Sequence, residues 1–289
     1  MSAPLYDTRP PICIAVLAHN EERRIARCLN SLPLSDESVA IHVLVNGSSD
    51  RTAAIAQAIA SDATNMIVHN WAEGGKARSW NRLLFDELDG VHETHIFADG
   101  DAEICAGSIT ALVESLRAQP HANAAAALPM NGRNVAAYQA AMRREHGLFG
   151  DLYALRGSFI ERMRARNIRL PVDLIGDDGL ICAMAKTDLG NEDGWDDSRV
   201  ATCEGAGFLV EPVSLWRAAS WRMQYKRMIN YSVRHFQNRM ISRIMRGPGP
   251  DGLPQRLDSL YAAELAEVAP RKSLPLWWFD RKALARMRG

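Results

Sequence analysis

The chain has 289 residues, 47% of them apolar and 24% charged, with 34 basic side chains balancing 34 acidic ones, the composition of a globular protein long enough to bury a full core. The balance excludes a general nucleic-acid binder and leaves only local patches of charge to consider. Five cysteines (Cys13, Cys28, Cys105, Cys182 and Cys203) are odd in number, widely spaced and form no Cys-x-x-Cys pair, so neither a disulfide framework nor a zinc knuckle is expected.

The first residues, Met1-Ser2-Ala3-Pro4-Leu5-Tyr6-Asp7, carry no basic or apolar leader pattern, and no stretch is apolar for long enough to cross a bilayer, which predicts a cytoplasmic protein. Ile12-Cys13-Ile14-Ala15-Val16-Leu17 is a continuous apolar run of strand length, as expected where both faces of a strand are covered. Asn20, Glu21 and Glu22 follow as helix-start residues, and Ile25, Cys28, Leu29 and Leu32 repeat at helical spacing. The alternation recurs. An apolar run over 41–45 precedes a helix from Asp50 with Ile55 and Ile59; one over 66–69 precedes Trp80, Leu83 and Leu84; one over 94–98 precedes a helix through Leu112 and Leu116. Such a βαβα series predicts an α/β fold with a mostly parallel, Rossmann-like central sheet and helices on both faces, whose ligands sit beyond the carboxyl ends of the strands.

Asp99-Gly100-Asp101 stands at one of those ends. Alternate residues on extended backbone project to one side, so both carboxylates can converge on a hard divalent cation, Mn2+ or Mg2+, and on a diphosphate that such a cation carries. The competing reading is a tight turn in which glycine supplies a positive φ. Asn46-Gly47-Ser48-Ser49-Asp50 reads as a turn into a helix with Asp50 as its N-cap, and Gly74-Gly75-Lys76 lacks the spacing of a phosphate-binding loop. After Leu128-Pro129-Met130 the alternation loosens, and the alanine cluster 124–127 is the one short tract of biased composition. Gly176-Asp177-Asp178-Gly179-Leu180 reads either as the capped start of a helix through Ile181 and Met184 or as a second pair of working carboxylates.

In order along the chain, Ala18-His19-Asn20-Glu21-Glu22, Asn46-Gly47-Ser48-Ser49-Asp50-Arg51-Thr52, Gly75-Lys76-Ala77-Arg78-Ser79-Trp80-Asn81, Asp99-Gly100-Asp101 and Gly176-Asp177-Asp178-Gly179-Leu180 resemble the motifs of the inverting glycosyltransferases of family 2, which have the GT-A fold. The resemblance implies a GT-A domain over 1–212, with a donor half to about 130 and an acceptor half over 131–212, followed by a C-terminal helical region over 213–289. It implies a nucleotide-sugar pocket lined by Ala18, His19, Glu21, Asn46, Lys76, Arg78, Asn81 and Asp99, a metal held by Asp99 and Asp101, and Asp178, with Asp177 as understudy, as the base that deprotonates the acceptor. Asn46 departs from the Asp that is frequent at this position in the family, which leaves the nucleotide base open, and Glu21 is equally explained by the helix dipole. Arg156, in Tyr153-Ala154-Leu155-Arg156, is assigned to the acceptor side.

Over 214–246, Trp221, Tyr225, Ile229, Ser232, Phe236, Met240 and Ile244 recur at a helical period, which predicts one or two amphipathic helices stopped by Gly247-Pro248-Gly249-Pro250. Between Pro212 and Pro250, Arg217, Arg222, Lys226, Arg227, Arg234, Arg239, Arg243 and Arg246 stand without an acidic residue, so an anion is expected nearby: the leaving diphosphate, an acceptor phosphate or an acidic membrane surface. Gln224-Tyr225-Lys226-Arg227-Met228 resembles the Gln-x-x-Arg-Trp signature of some family members with Met in place of Trp, which puts Arg227 at the nucleotide sugar. His235 is a candidate third metal ligand or a packed helical histidine. The tail Leu274-Pro275-Leu276-Trp277-Trp278-Phe279, with Arg281, Lys282, Arg286 and Arg288, suits a bilayer interface, and equally a contact with the domain or with the second subunit of a homodimer.

The expected function is a metal-dependent inverting transfer of a sugar from a nucleotide diphosphate sugar, a UDP-sugar in the first place, to a hydroxyl of a glycolipid or polysaccharide, in the cytoplasm or on the inner face of its membrane and without a nucleic-acid partner. Readings that share the acidic pair are a retaining GT-A transferase acting on a small phosphorylated acceptor, a nucleotidyltransferase, and a non-catalytic nucleotide-sugar binder.

Overall fold

The computed structural model describes residues 9–211 and 218–289, with side chains from residue 224 onward in the second stretch; Arg217 and the side chains of Trp221 and Arg222 lie outside the described residues. The strands are β1 (Ile12–Ala18), β2 (Val39–Asn46), β3 (Met66–Trp71), β4 (Thr94–Asp99), β5 (Ala102–Ile104), β6 (Ala124–Pro129), β7 (Leu152–Arg156) and β8 (Val200–Val210). They form one sheet in the order β3-β2-β1-β4-β7-β6-β8-β5. The first four in that order are parallel, β7 enters antiparallel between β4 and β6, and β6 pairs in parallel with β8. The helices are α1 (Ile25–Asn30), α2 (Thr52–Ala60), α3 (Lys76–Arg82) continued by a π-helical turn (Leu83–Glu87), α4 (Ser108–Ala118), α5 (Val135–Glu145), α6 (Gly157–Ala165), α7 (Asp177–Lys186), α8 (Ala218–Arg246), α9 (Asp258–Glu264) and α10 (Leu274–Arg288).

The expected doubly covered sheet is present. Cys13, Ala15 and Leu17 of β1 join a core with Trp80, Phe97, Tyr153 and Phe159, while Ile14, Val16 and Ala18 join a second core with Ile25, Leu29 and Leu112 on the other face. Burial on both faces is why the run holds no polar residue. The alanine cluster belongs to β6, buried throughout; small side chains let α4 and α5 lie close against it, so its bias reflects packing.

Two helix starts differ from the sequence reading. α1 begins at Ile25, and Asn20 instead takes a φ of 56°, its N–H donating to Ser48 Oγ at 3.0 Å and its Oδ1 accepting from Ser49 N–H at 2.9 Å. Asp50 accepts from the N–H of Thr52 and from that of Glu22. Both residues therefore stitch together the loops that leave β1 and β2.

α8 is a single helix ending at Arg246, just before the Gly-Pro-Gly-Pro stop. Its Val233, Phe236 and Met240 form a small separate core with Leu265, Ala283, Leu284 and Met287. Asp280 of α10, fully buried, pairs with Arg271 at 2.6 Å; burial alone would raise this carboxyl, but the Arg271 guanidinium and N–H and the Ser232 hydroxyl outweigh it and hold it at about 2. No described helix is long and apolar enough to cross a membrane.

Candidate active site

β4 ends at Asp99, and the chain turns back under β1, Gly100 N–H donating to Leu17 O at 2.8 Å. A Cβ at position 100 would lie 2.9 Å from Ala18 Cβ and 3.2 Å from Ala18 Cα. Glycine is needed here for close approach to β1 and not for a positive φ, which it does not have. Because β7 runs antiparallel to β4, Asp151, one residue before β7, arrives opposite Asp99, and Asp99 N–H donates to its carbonyl at 3.2 Å. Carboxylate oxygens of Asp99, Asp101 and Asp151 all lie within 4.8 Å of one another. Burial and the neighbouring Asp101 push Asp151 up to about 6, against Lys76 and Arg227. Asp99 is raised well above its usual range, chiefly by burial.

Lys76, the first residue of α3, reaches into this cluster. Its Nζ lies 2.7 Å from Asp99 and 3.6 Å from Asp177 and donates to Gly150 O at 3.3 Å. Burial opposes its charge, but Asp177 and Asp99 outweigh burial and lift its pKa well above the usual lysine value. It stays an ammonium.

The second acidic pair opens α7. Gly176, with φ 83°, is its N-cap, and neither aspartate caps it by a side-chain hydrogen bond; they stand in the first turn, where the helix dipole favours negative charge. Asp177 is buried, and its Oδ2 has no hydrogen-bond partner. Asp178, partly exposed, accepts at Oδ1 from Arg234 Nη2 at 2.8 Å. Arg234 lies across Gly176, where a Cβ would crowd its guanidinium. Arg227, from the same helix α8, sits close enough to Asp151 to lower its pKa.

Other residues singled out in the sequence lie around or away from this centre. Glu21 pairs with Arg24 at 2.6 Å, and Arg24 reaches Asp101 at 3.4 Å; burial and Asp101 push Glu21 up to about 7. Asn46 is not open to a nucleotide base: its amide donates to Ala18 O and Leu44 O and accepts from Gly75 N–H, while its carbonyl meets His19 Nδ1 at 2.6 Å. Asn81 is likewise spent inside the protein, exchanging both hydrogen bonds with the backbone of Leu170. Arg78 pairs with Glu73 and lines, with Trp71 and Arg82, a groove of about 770 Å³ that none of the clustered aspartates borders. His235 does not join the acidic cluster. It packs edge-on to Phe236 in the field of Arg271, Asp280 and Arg239, at the α8–α10 contact, and Asp151 is the third residue gathered with Asp99 and Asp101. Arg156 is not on the acceptor side, because antiparallel β7 carries it to the opposite end of the sheet, beside Thr94; there its guanidinium donates to the carbonyls of Ala122 and Gln119.

A family model described as Glycosyl transferase family 2 matches residues 13–185. The chain belongs to this family. Solved structures share its GT-A fold: the mannosyltransferase PcManGT from Pyrobaculum calidifontis, in complex with GDP-Man and Mn2+, at TM-score 0.62 and 19% identity over 97% of this chain and 75% of that one. TarS 1–349 from S. aureus, in complex with UDP, aligns at 0.52 and 18% over 77% of this chain and 64% of that one. Glucosyl-3-phosphoglycerate synthase from Mycobacterium tuberculosis, in complex with Mn2+, UDP and phosphoglyceric acid, aligns at 0.53 and 19% over 85% and 80%. A comparison with curated proteins found no match.

This family 2 chain is a glycosyltransferase, and its acidic cluster fits the expected Mn2+ or Mg2+: the donors are all hard oxygens, gathered from two strand ends. Glu21, Asp99, Asp101, Asp151 and Asp177 crowd around Arg24, Lys76 and Arg227, so five carboxyl groups share three cations, and burial together with this crowding raises Glu21, Asp99 and Asp151. Asp151 is the residue the sequence reading missed. Its one local signal is Gly150-Asp151 placed directly before the apolar run 152–155.

Proposed function

We propose that this glycosyltransferase moves a sugar from a nucleotide diphosphate sugar, a UDP-sugar in the first place, to a hydroxyl of a glycolipid or polysaccharide, with inversion at the anomeric carbon. The observation that carries the reading is two neighbouring acidic groups with different surroundings: the cluster Asp99, Asp101 and Asp151, and Asp178 held on one side by Arg234. The nucleotides named in the complexes of similar fold, GDP-Man and UDP, support a nucleotide donor. A divalent cation bound by the cluster would offset the charge that grows on the departing diphosphate. Lys76 and Arg227 add positive charge beside it, fixed in place before reaction. Asp178 offers the acceptor hydroxyl the oxygen that Arg234 leaves free and takes its proton as the new bond forms; placement within hydrogen-bond reach is what this role demands. Attack from the face opposite the leaving group inverts the configuration.

The test is transfer and donor binding by Asp178→Asn, with the product anomer read by proton NMR. Transfer should fall roughly a thousandfold, Mn2+-dependent donor binding should persist, and the product should have the opposite configuration to the donor. Undiminished transfer, or a retained anomer, would overturn the reading.

A further inference from the structure

α10 has two faces that bury different things. Asp280, Ala283, Leu284 and Met287 recur at helical spacing and pack into the core shared with α8. The opposite stripe, Leu274, Trp277, Trp278, Arg281 and Lys282, follows the same i, i+3, i+4, i+7, i+8 spacing and faces outward. Leu274 is 83% exposed, Trp278 49% and Trp277 36%. A single exposed aromatic residue needs no explanation, but two adjacent tryptophans and a leucine on one turn of a helix form a continuous apolar surface. The charges beside it are all of one sign. Arg281 lies 4.7 Å from the Trp277 ring centroid and Lys282 5.1 Å from that of Trp278, and the one acidic residue between 271 and 289, Asp280, is buried and neutralised by Arg271. The neighbouring α8 continues the pattern with exposed Tyr225 and Lys226, Tyr225 packing on Phe279 of α10.

We infer that this stripe of α10 is a docking surface for an anionic lipid bilayer. Tryptophan suits the headgroup level, where its ring is sheltered and its N–H stays wet, and basic residues one turn further along meet anionic headgroups. A protein partner would be expected to present acids to Arg281 and Lys282 and a socket to the rings; a second copy of this stripe would bring like charges together. The surface stands one helix away from the acid cluster, since α8 carries Arg227 and Arg234 toward the aspartates and Val233, Phe236 and Met240 toward α10. Docking there would bring a lipid-borne hydroxyl within range of the pocket, although the binding itself does not depend on the transfer chemistry.

The experiment is co-sedimentation of the full chain with sucrose-loaded vesicles, either pure phosphatidylcholine or phosphatidylcholine with 30% phosphatidylglycerol, at low and high salt, for the wild type, Trp277→Ser with Trp278→Ser, and Arg281→Gln with Lys282→Gln. The wild type should pellet with the anionic vesicles, weakly with the neutral ones, and lose binding as salt rises. Each basic residue removed should weaken binding about fivefold, so the charge pair should cost roughly 25-fold, and the tryptophan pair should abolish pelleting. The charge variant alters only exposed side chains and keeps the test valid if the tryptophan variant does not fold. Wild-type protein that stays in the supernatant, charge removal that leaves binding unchanged, or a wild-type dimer in sedimentation velocity that the tryptophan variant converts to monomer would each overturn the inference.

Discussion

Asp178 and Arg234 meet across Gly176, and on the proposed mechanism this arginine is the residue that positions the Asp178 carboxylate. Arg234→Met should lower kcat about a hundredfold by letting the carboxylate drift from reach of the acceptor, with Mn2+-dependent donor binding within twofold of wild type and partial recovery in Arg234→Lys. Unchanged kcat in Arg234→Met would remove the arginine from this role. The acidic pairs themselves were legible from sequence, because Asp99-Gly100-Asp101 and Asp177-Asp178 are each local to one strand end or one helix start. The tie from Arg234 was not, since it crosses from α8 to α7 and depends on helix packing that no local spacing encodes.

At the scale of elements, the reversal of β7 decides the site. The sequence pattern predicts the parallel strands well, because each apolar run is followed by its own helix. It carries no sign that β7 will insert antiparallel beside β4, and that reversal brings Asp151 to Asp99 while sending Arg156 to the far end of the sheet. The family motifs put Asn46 and Asn81 at the nucleotide, yet the folded loops spend both amides on backbone groups. The β2–β3 pairing has its own titration. His42 stacks on His69, their ring nitrogens 3.0 Å apart, and burial, then His69 and His92, lower its pKa from 6.5 to about 4. The unfolded chain takes up the proton first, so stability present above pH 6.5 is lost as the pH falls toward 4, by about 3 kcal/mol from this residue. Urea unfolding of His42→Gln should show a shallower fall over that window than the wild type; an identical slope would contradict the assignment.

Across the whole molecule, a chain of zero net charge concentrates carboxylates at one end of the sheet and bases on helices packed beside them. The sheet supplies Asp99, Asp101 and Asp151, α3 supplies Lys76, and α8 supplies Arg227 and Arg234. This division explains why family 2 chemistry is readable from short motifs while the third member of the cluster emerges only from the fold. If these three carboxylates together hold the cation that anchors a nucleotide diphosphate, nucleotide binding depends on both the metal and Asp151. The deciding measurement is calorimetric titration of UDP and GDP into the wild type and Asp151→Asn, with and without Mn2+. One of the nucleotides should bind the wild type only with Mn2+, and Asp151→Asn should weaken that binding at least roughly tenfold; binding of equal strength without metal, or unaltered by Asp151→Asn, would contradict the account.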